Sequence, residues 1–391
     1  MKEISQVILD VPPSGIRRFF DIVSTRKDII SLGVGEPDFP TPWHIRESAI
    51  DLINKGRTTY SDNRGMPSLR DAISEFIRER HGLSYDPKTE IMVTVGVSEG
   101  LDLAMRAILN PGDEVIVPEP CYVSYKPCVT FAGGVPVAVG STPERGFRIT
   151  AREIAAKITP RTKAILLSYP TNPTGATLDR DDCEEIAALV EREDLYVLSD
   201  EIYDRLSYDA LHVVFSTLPG MKDRTIYLNG FSKAYAMTGW RIAYAAGPPA
   251  IMGSMVKIHQ YTALCAPVIG QHAALEAIKN GQPQVEAMAA DYNRRRRLFV
   301  SGLNEIGLDC ALPGGAFYAF PSIRCTGLTS EEFAERLLHE YGVATVPGNA
   351  FGECGEGFIR CSYATSLAKL REALHRMERF LSTHARRDVA A

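Results

Sequence analysis

Between residues 91 and 246 the chain repeats one pattern: a short, almost wholly apolar run rich in β-branched residues, then a stretch with apolar positions at helical spacing. The runs lie at 91–95, 114–117, 135–139, 163–168, 195–199, 225–228 and 241–245. Runs this apolar predict strands of a largely parallel sheet buried on both faces. In the intervening segments Leu101, Met105 and Ile108 share one helical face, as do Cys183, Ile186 and Val190. The alternation predicts an α/β fold whose large domain holds a seven-stranded, mostly parallel sheet sandwiched by helices.

Beyond residue 285 the pattern changes to a long charged helix over 285–306, short strands near 316–320 and 358–363, and a terminal helix. This predicts a smaller α+β domain. The first 45 residues, with two Pro-rich turns and no strong periodicity, are too few to fold alone and are expected to pack on it. The predicted division is a large domain over 46–285 and a small domain built from 1–45 and 286–391.

Composition narrows the classes. Of 391 residues, 45% are apolar and 23% charged, an ordinary globular balance. The net charge of −5 gives no global basic field for nucleic acid or an anionic membrane. No uncharged apolar run approaches the length of a bilayer span, and the start MKEISQVILDVPPSG lacks the order of a signal peptide, so a cytoplasmic protein is expected. The eight cysteines form no C-x-x-C and the eight histidines no H-E-x-x-H, so reduced, packed thiols and no metal are expected. Arg294 to Arg297 point around a helix rather than along one face, which predicts a solvated, salt-bridged surface and not a nucleic-acid site.

Ligands of open α/β sheets collect at the carboxyl ends of strands. After the 91–95 run comes Gly96-Val97-Ser98-Glu99-Gly100, a turn opening a helix whose free N–H groups favour a phosphate. After 163–168 comes Tyr169-Pro170-Thr171-Asn172-Pro173-Thr174-Gly175, and after 195–199 come Asp200 and Tyr203. After 225–228 come Ser232 and Lys233, with Arg241 eight residues further on. Separately, Asp200 reads as a helix cap and Asn172 as a turn former. Together they solve one problem. A lysine amine kept from water near a cation can form a Schiff base with an aldehyde cofactor. Pyridoxal phosphate needs an acid at its pyridine nitrogen, donors to its 3′-oxygen and a cationic phosphate site. Asp200, Asn172 with Tyr203, and Ser232 with Arg241 fit those needs.

The segments GVGEPDFPTP, TTYSDNRGMPSLR, VGVSEGL, PGDEV, YPTNPTG, SDEIY, GFSKAYAMTGWRIAY, PGGAFY and FIRCSYA follow one another in an order that resembles the class I/II aminotransferases of pyridoxal-phosphate fold type I. The resemblance is to aspartate-aminotransferase-like members and spans nearly the whole chain. It implies Lys233 as internal aldimine and proton shuttle, Asp200 at the pyridine nitrogen, Asn172 and Tyr203 at the 3′-oxygen, and Tyr122 flat on the ring. It implies the backbone of Gly96, Val97 and Ser98, with Ser232 and Arg241, around the phosphate. Arg360, with Gly35 and Asn172 beside it, would take the substrate α-carboxylate, a role suited to a planar fork. Tyr60 would reach the phosphate of a neighbouring subunit, which implies a homodimer with shared active sites.

The activity implied is amino transfer from an L-amino acid to a 2-oxo acid, with 2-oxoglutarate the expected acceptor, in ping-pong half-reactions. A β-eliminating lyase on the same fold shares these motifs and stays open as the alternative. A transcriptional regulator carrying such a domain is disfavoured by the acidic balance. Residues 261–267 carry no arginine or lysine, so a clamp for a second substrate carboxylate is not evident there. Ile16, Phe19 and Phe20 are expected either to form an apolar lid or to pack on the small domain.

Overall fold

The computed structural model describes residues 2–12 and 28–384; Ile16, Phe19 and Phe20 lie outside them. Its strands in chain order are β1 (Ile30–Ser31), β2 (Ile91–Thr94), β3 (Glu114–Glu119), β4 (Val135–Gly140), β5 (Thr162–Ser168) and β6 (Tyr196–Asp200). They continue with β7 (Thr225–Gly230), β8 (Ala243–Ala246), β9 (Tyr318–Ala319), β10 (Val343–Ala344), β11 (Val346–Pro347) and β12 (Ile359–Ser362). The helices that matter for the site are α1 (Gly96–Ile108), α2 (Tyr125–Phe131), α3 (Arg180–Arg192) and α4 (Gln282–Glu305).

Seven strands form one sheet in the order β2-β8-β7-β6-β5-β3-β4. All neighbours run parallel except β8, which is antiparallel to both β2 and β7. Strict alternation sorts the side chains although both faces are buried. Val115, Val117, Leu166 and Leu198 join the core under α1, while Ile116, Ile165, Leu167 and Val197 join the core under α3. Because β5 and β6 are parallel and in register, Ser168 and Asp200 emerge side by side at their carboxyl ends.

A third core gathers Leu32, Phe299, Phe317, Phe333, Ile359 and Phe380, and it includes Tyr203 from the end of β6. Here β1 pairs with β10 in parallel, and β12 lies between β11 and β9 in an antiparallel sheet. The last predicted strand of the large sheet starts later than its apolar run. Arg241 adopts φ 56° after a short 3-10 turn, so pairing begins only at Ala243. That left-handed residue turns the guanidinium back toward α1.

One expectation is corrected. Arg294 and Arg297 of the basic run are exposed, but Arg295 and Arg296 are buried. Arg296 gives its Nη1 and Nη2 to Asp209 at 2.7 and 2.8 Å and donates to the Pro313 carbonyl at 2.5 Å. Arg295 Nη1 holds both carboxylate oxygens of Asp38 at 2.7 and 2.8 Å, pinning the loop that carries Gly35 and Glu36. The run looked solvated because Asp38 and Asp209, which hold the two buried arginines, lie far away in sequence. Every cysteine is a free thiol, and among the described residues no helix is long and apolar enough to cross a membrane.

The contrast within the run is measurable. Asp209→Asn leaves the buried Arg296 charge underpaired and is expected to cost about 2 kcal/mol. Arg294→Ala removes a surface pair and is expected to stay within about 0.5 kcal/mol of the parent. Chemical unfolding midpoints compare the two; equal losses would contradict the structural role of Arg296.

Candidate active site

The carboxyl ends of β2, β5, β6 and β7 open onto one cavity of about 640 Å³. Gly35, Val97, Ser98, Tyr122, Asn172, Asp200, Tyr203, Ser232, Lys233, Arg241 and Arg360 all line it, so eleven of the thirteen residues singled out in the sequence meet there. The two others are Gly96 and Tyr60. Gly96, at φ 76°, lies under the Arg241 guanidinium, with which a Cβ would collide. Tyr60 is 80% exposed and stands outside the cavity.

Lys233 Nζ donates to the Gly35 carbonyl at 2.6 Å. Burial pushes its pKa down to about 8; Glu36 and Asp200 oppose the fall, and the charges of Arg360 and Arg241 deepen it. A fraction of this amine is therefore neutral near physiological pH, as a nucleophilic lysine requires. Asp200 is pushed up to about 6, chiefly by burial, against hydrogen bonds from the Tyr125 hydroxyl and the Ile202 N–H. The Tyr203 phenol is raised well above its ordinary value by burial, keeps its proton, and shares a 2.8 Å hydrogen bond with Tyr318.

Arg360 is the most informative group. It is buried, with Nη1 donating to Asn172 Oδ1 at 2.9 Å and Nη2 to the Gly33 carbonyl at 2.5 Å. Its face lies 4.6 Å from the Tyr318 ring centre and 4.9 Å from that of Phe351. Its Nε has no partner, and among the described residues no carboxylate pairs with it. A guanidinium carries five donors and cannot shed its charge, so a buried one without an acid fits an incoming anion.

These donors match an aldehyde that carries a ring nitrogen, a ring oxygen and a phosphate. Lys233 offers the amine, Asp200 the acid, and Asn172 and Tyr203 the polar hydrogens. At the other end, the first turn of the 13-residue α1 presents free N–H groups beside Ser98, Ser232 and Arg241. The sequence reading missed three wall residues: Glu36, which acts on the charge of Lys233, Tyr125, which bonds Asp200, and Tyr318, which bonds Tyr203 and stacks on Arg360. Tyr318 lies within PGGAFY, and its hydroxyl sits 2.5 Å from where a Cβ on Gly35 would stand. That contact ties the absence of a side chain at residue 35 to the tyrosine.

Comparison with known proteins agrees with this chemistry. The family model described as aminotransferase class I and II matches residues 27–377. An aspartate aminotransferase of Pyrococcus abyssi is 47% identical over 374 residues, covering 95% of this chain and 96% of that one. Aromatic-amino-acid aminotransferase 2 of Thermococcus litoralis is 45% identical over 374 residues, with coverage of 95% and 96%. Among solved structures, the aspartate aminotransferase from Thermus thermophilus with maleate has a TM-score of 0.93 at 40% identity, covering 97% of this chain and 100% of that chain.

Proposed function

The chain belongs to the class I and II aminotransferase family, and from that premise we propose how its cavity divides the work of amino transfer. It is a pyridoxal-phosphate-dependent enzyme of fold type I acting on amino acids and 2-oxo acids. Relatives named for amino transfer favour that reaction over β-elimination. The observation that carries the assignment of roles is the pairing of a lysine amine of lowered pKa with a buried arginine that lacks an acid, on one cavity wall.

Bound pyridoxal phosphate supplies the carbonyl that receives the amino group and a ring that accepts the electron pair left at the substrate Cα. We assign Lys233 to hold it in the resting enzyme and, as a free amine, to take the proton from the substrate Cα. Asp200 keeps a proton on the ring nitrogen, Asn172 and Tyr203 hold the 3′-oxygen, and Tyr122 covers the ring face. The N–H groups of Gly96, Val97 and Ser98, with the hydroxyl of Ser232 and the guanidinium of Arg241, hold the phosphate. Arg360 takes the substrate α-carboxylate through the donors its protein partners leave free, with Asn172 and the backbone of Gly35 at its side. The proposed acceptor is 2-oxoglutarate, whose 2-oxo end offers Arg360 the same anion as the amino donor.

The proposed division remains a large domain over 46–285 and a small one from 1–45 and 286–391. It is supported by the seven-stranded sheet falling between Ile91 and Ala246 and by the pairing of Ile30 with Val343. A homodimer with shared sites is supported by the exposure of Tyr60 and Tyr261 at 80% and 84%. The two stretches touch: Asn63 donates to the Leu264 carbonyl at 2.8 Å and Gln271 to Ser61 at 2.9 Å. Tyr60 would then serve the partner's phosphate site. Eight unpaired thiols support a cytoplasmic setting.

Two experiments test these roles. Arg360→Lys keeps the charge but loses the fork, so kcat/KM for amino donors is expected to fall about tenfold or more while cofactor affinity is nearly unchanged. An unchanged kcat/KM would remove Arg360 from the substrate site. Mixing Lys233→Ala chains with Tyr60→Phe chains tests the shared site, since each heterodimer would hold one doubly defective and one intact site. Activity rising above either parent is expected; verified subunit exchange without a rise would assign Tyr60 to its own chain.

A further inference from the structure

Tyr125, the first residue of α2, is buried, with its hydroxyl 2.8 Å from Asp200 Oδ2 and 2.7 Å from Ser168 Oγ. A phenol has a single hydrogen, and an ionised carboxylate only accepts. With Asp200 ionised, the Tyr125 hydrogen must go to Oδ2, and Ser168 must donate its own hydrogen to the tyrosine oxygen. The parallel register that sets Ser168 beside Asp200 makes this arrangement possible. We propose that Tyr125 is a positioning residue that keeps Asp200 ionised and aimed at the cofactor's ring nitrogen, as the middle of a directed chain from Ser168 through Tyr125 to Asp200.

The surroundings give this bond its weight. Burial drives Asp200 toward its neutral form, and a neutral carboxyl cannot favour a charged ring nitrogen. Two donors counter it. The Ile202 N–H reaches Oδ1 at 3.2 Å, and the Tyr125 hydroxyl reaches Oδ2. Glu201 adds a repelling charge; its own oxygens are held by Ser199, the Phe215 N–H and His212. Lys233 attracts, but its charge is lost whenever its amine is neutral. The Tyr125 phenol is pushed well above its ordinary value by burial and the nearby carboxylate, so it stays a donor throughout the working range. Its ring also meets Tyr122 edge-on, with centres 5.6 Å apart, so the donor is fixed in direction.

This inference rests on the reading of Asp200 as the ring nitrogen's partner, and the test separates the two. Parent, Asp200→Asn and Tyr125→Phe enzymes are loaded with pyridoxal phosphate isotopically labelled at its ring nitrogen, whose NMR shift reports protonation directly. The parent is expected to show a protonated ring nitrogen and Asp200→Asn a neutral one. In Tyr125→Phe the carboxylate loses a donor and gains proton affinity, so the signal is expected to move most of the way to the neutral position. A parent-like signal in Tyr125→Phe, with Asp200→Asn shifted, would overturn the role of Tyr125 and leave Asp200 in place. A parent-like signal in Asp200→Asn would overturn both. Should Tyr125→Phe fail to fold, Ser168→Ala removes the donor behind the tyrosine and is expected to move the signal the same way by less; no movement would overturn the chain.

Discussion

The enzyme depends on holding cations in a cavity where bulk water does not neutralise their charge. Lys233 answers by giving up part of its charge, its pKa falling to about 8 while its Nζ rests on the Gly35 carbonyl at 2.6 Å. Arg360 has no such escape. It is held instead by dipoles and aromatic faces: Asn172, the Gly33 carbonyl, Tyr318 and Phe351. None of these partners is an anion, so no resident acid occupies the remaining donors of the fork. The result is a site with an unneutralised positive end, suited to an amino acid's carboxylate, and a reactive amine beside it.

Several distant parts of the chain must agree for that to happen. The parallel strands deliver Asn172, Asp200 and Lys233 to one edge, since each lies at or just beyond a strand's carboxyl end. The loop bearing Gly35 comes from the other end of the molecule, where Arg295 clamps Asp38 and Tyr318 packs where a side chain on Gly35 would stand. Tyr203 joins the two regions: it follows β6 yet lies in the same core as Phe299 and Phe380. A change in either packing layer is therefore felt at the amine.

What the sequence revealed follows from the range of each interaction. Strand ends are read locally, so the turn after each apolar run exposed the residues that now face one another. Arg241 was found, but its left-handed backbone was hidden inside an apolar run that looked like strand. The basic run misled because Asp38 lies 257 residues from Arg295 and Asp209 lies 87 residues from Arg296, so nothing local marks them as partners. Tyr125 and Tyr318 were invisible for a related reason. A tyrosine reads as packing until the fold shows which buried polar group its hydroxyl meets, and both partners here come from other strands or turns.

The central claim is that the fold itself depresses the Lys233 amine by burial. Cofactor-free enzyme can be exposed briefly to an acetylating reagent over a series of pH values, and the modification of each lysine followed by peptide mass spectrometry. Neutral amine is the reactive form, so Lys233 labelling is expected to rise with a midpoint near 8. A Lys233 midpoint at the ordinary lysine value of about 10.4 would contradict the account.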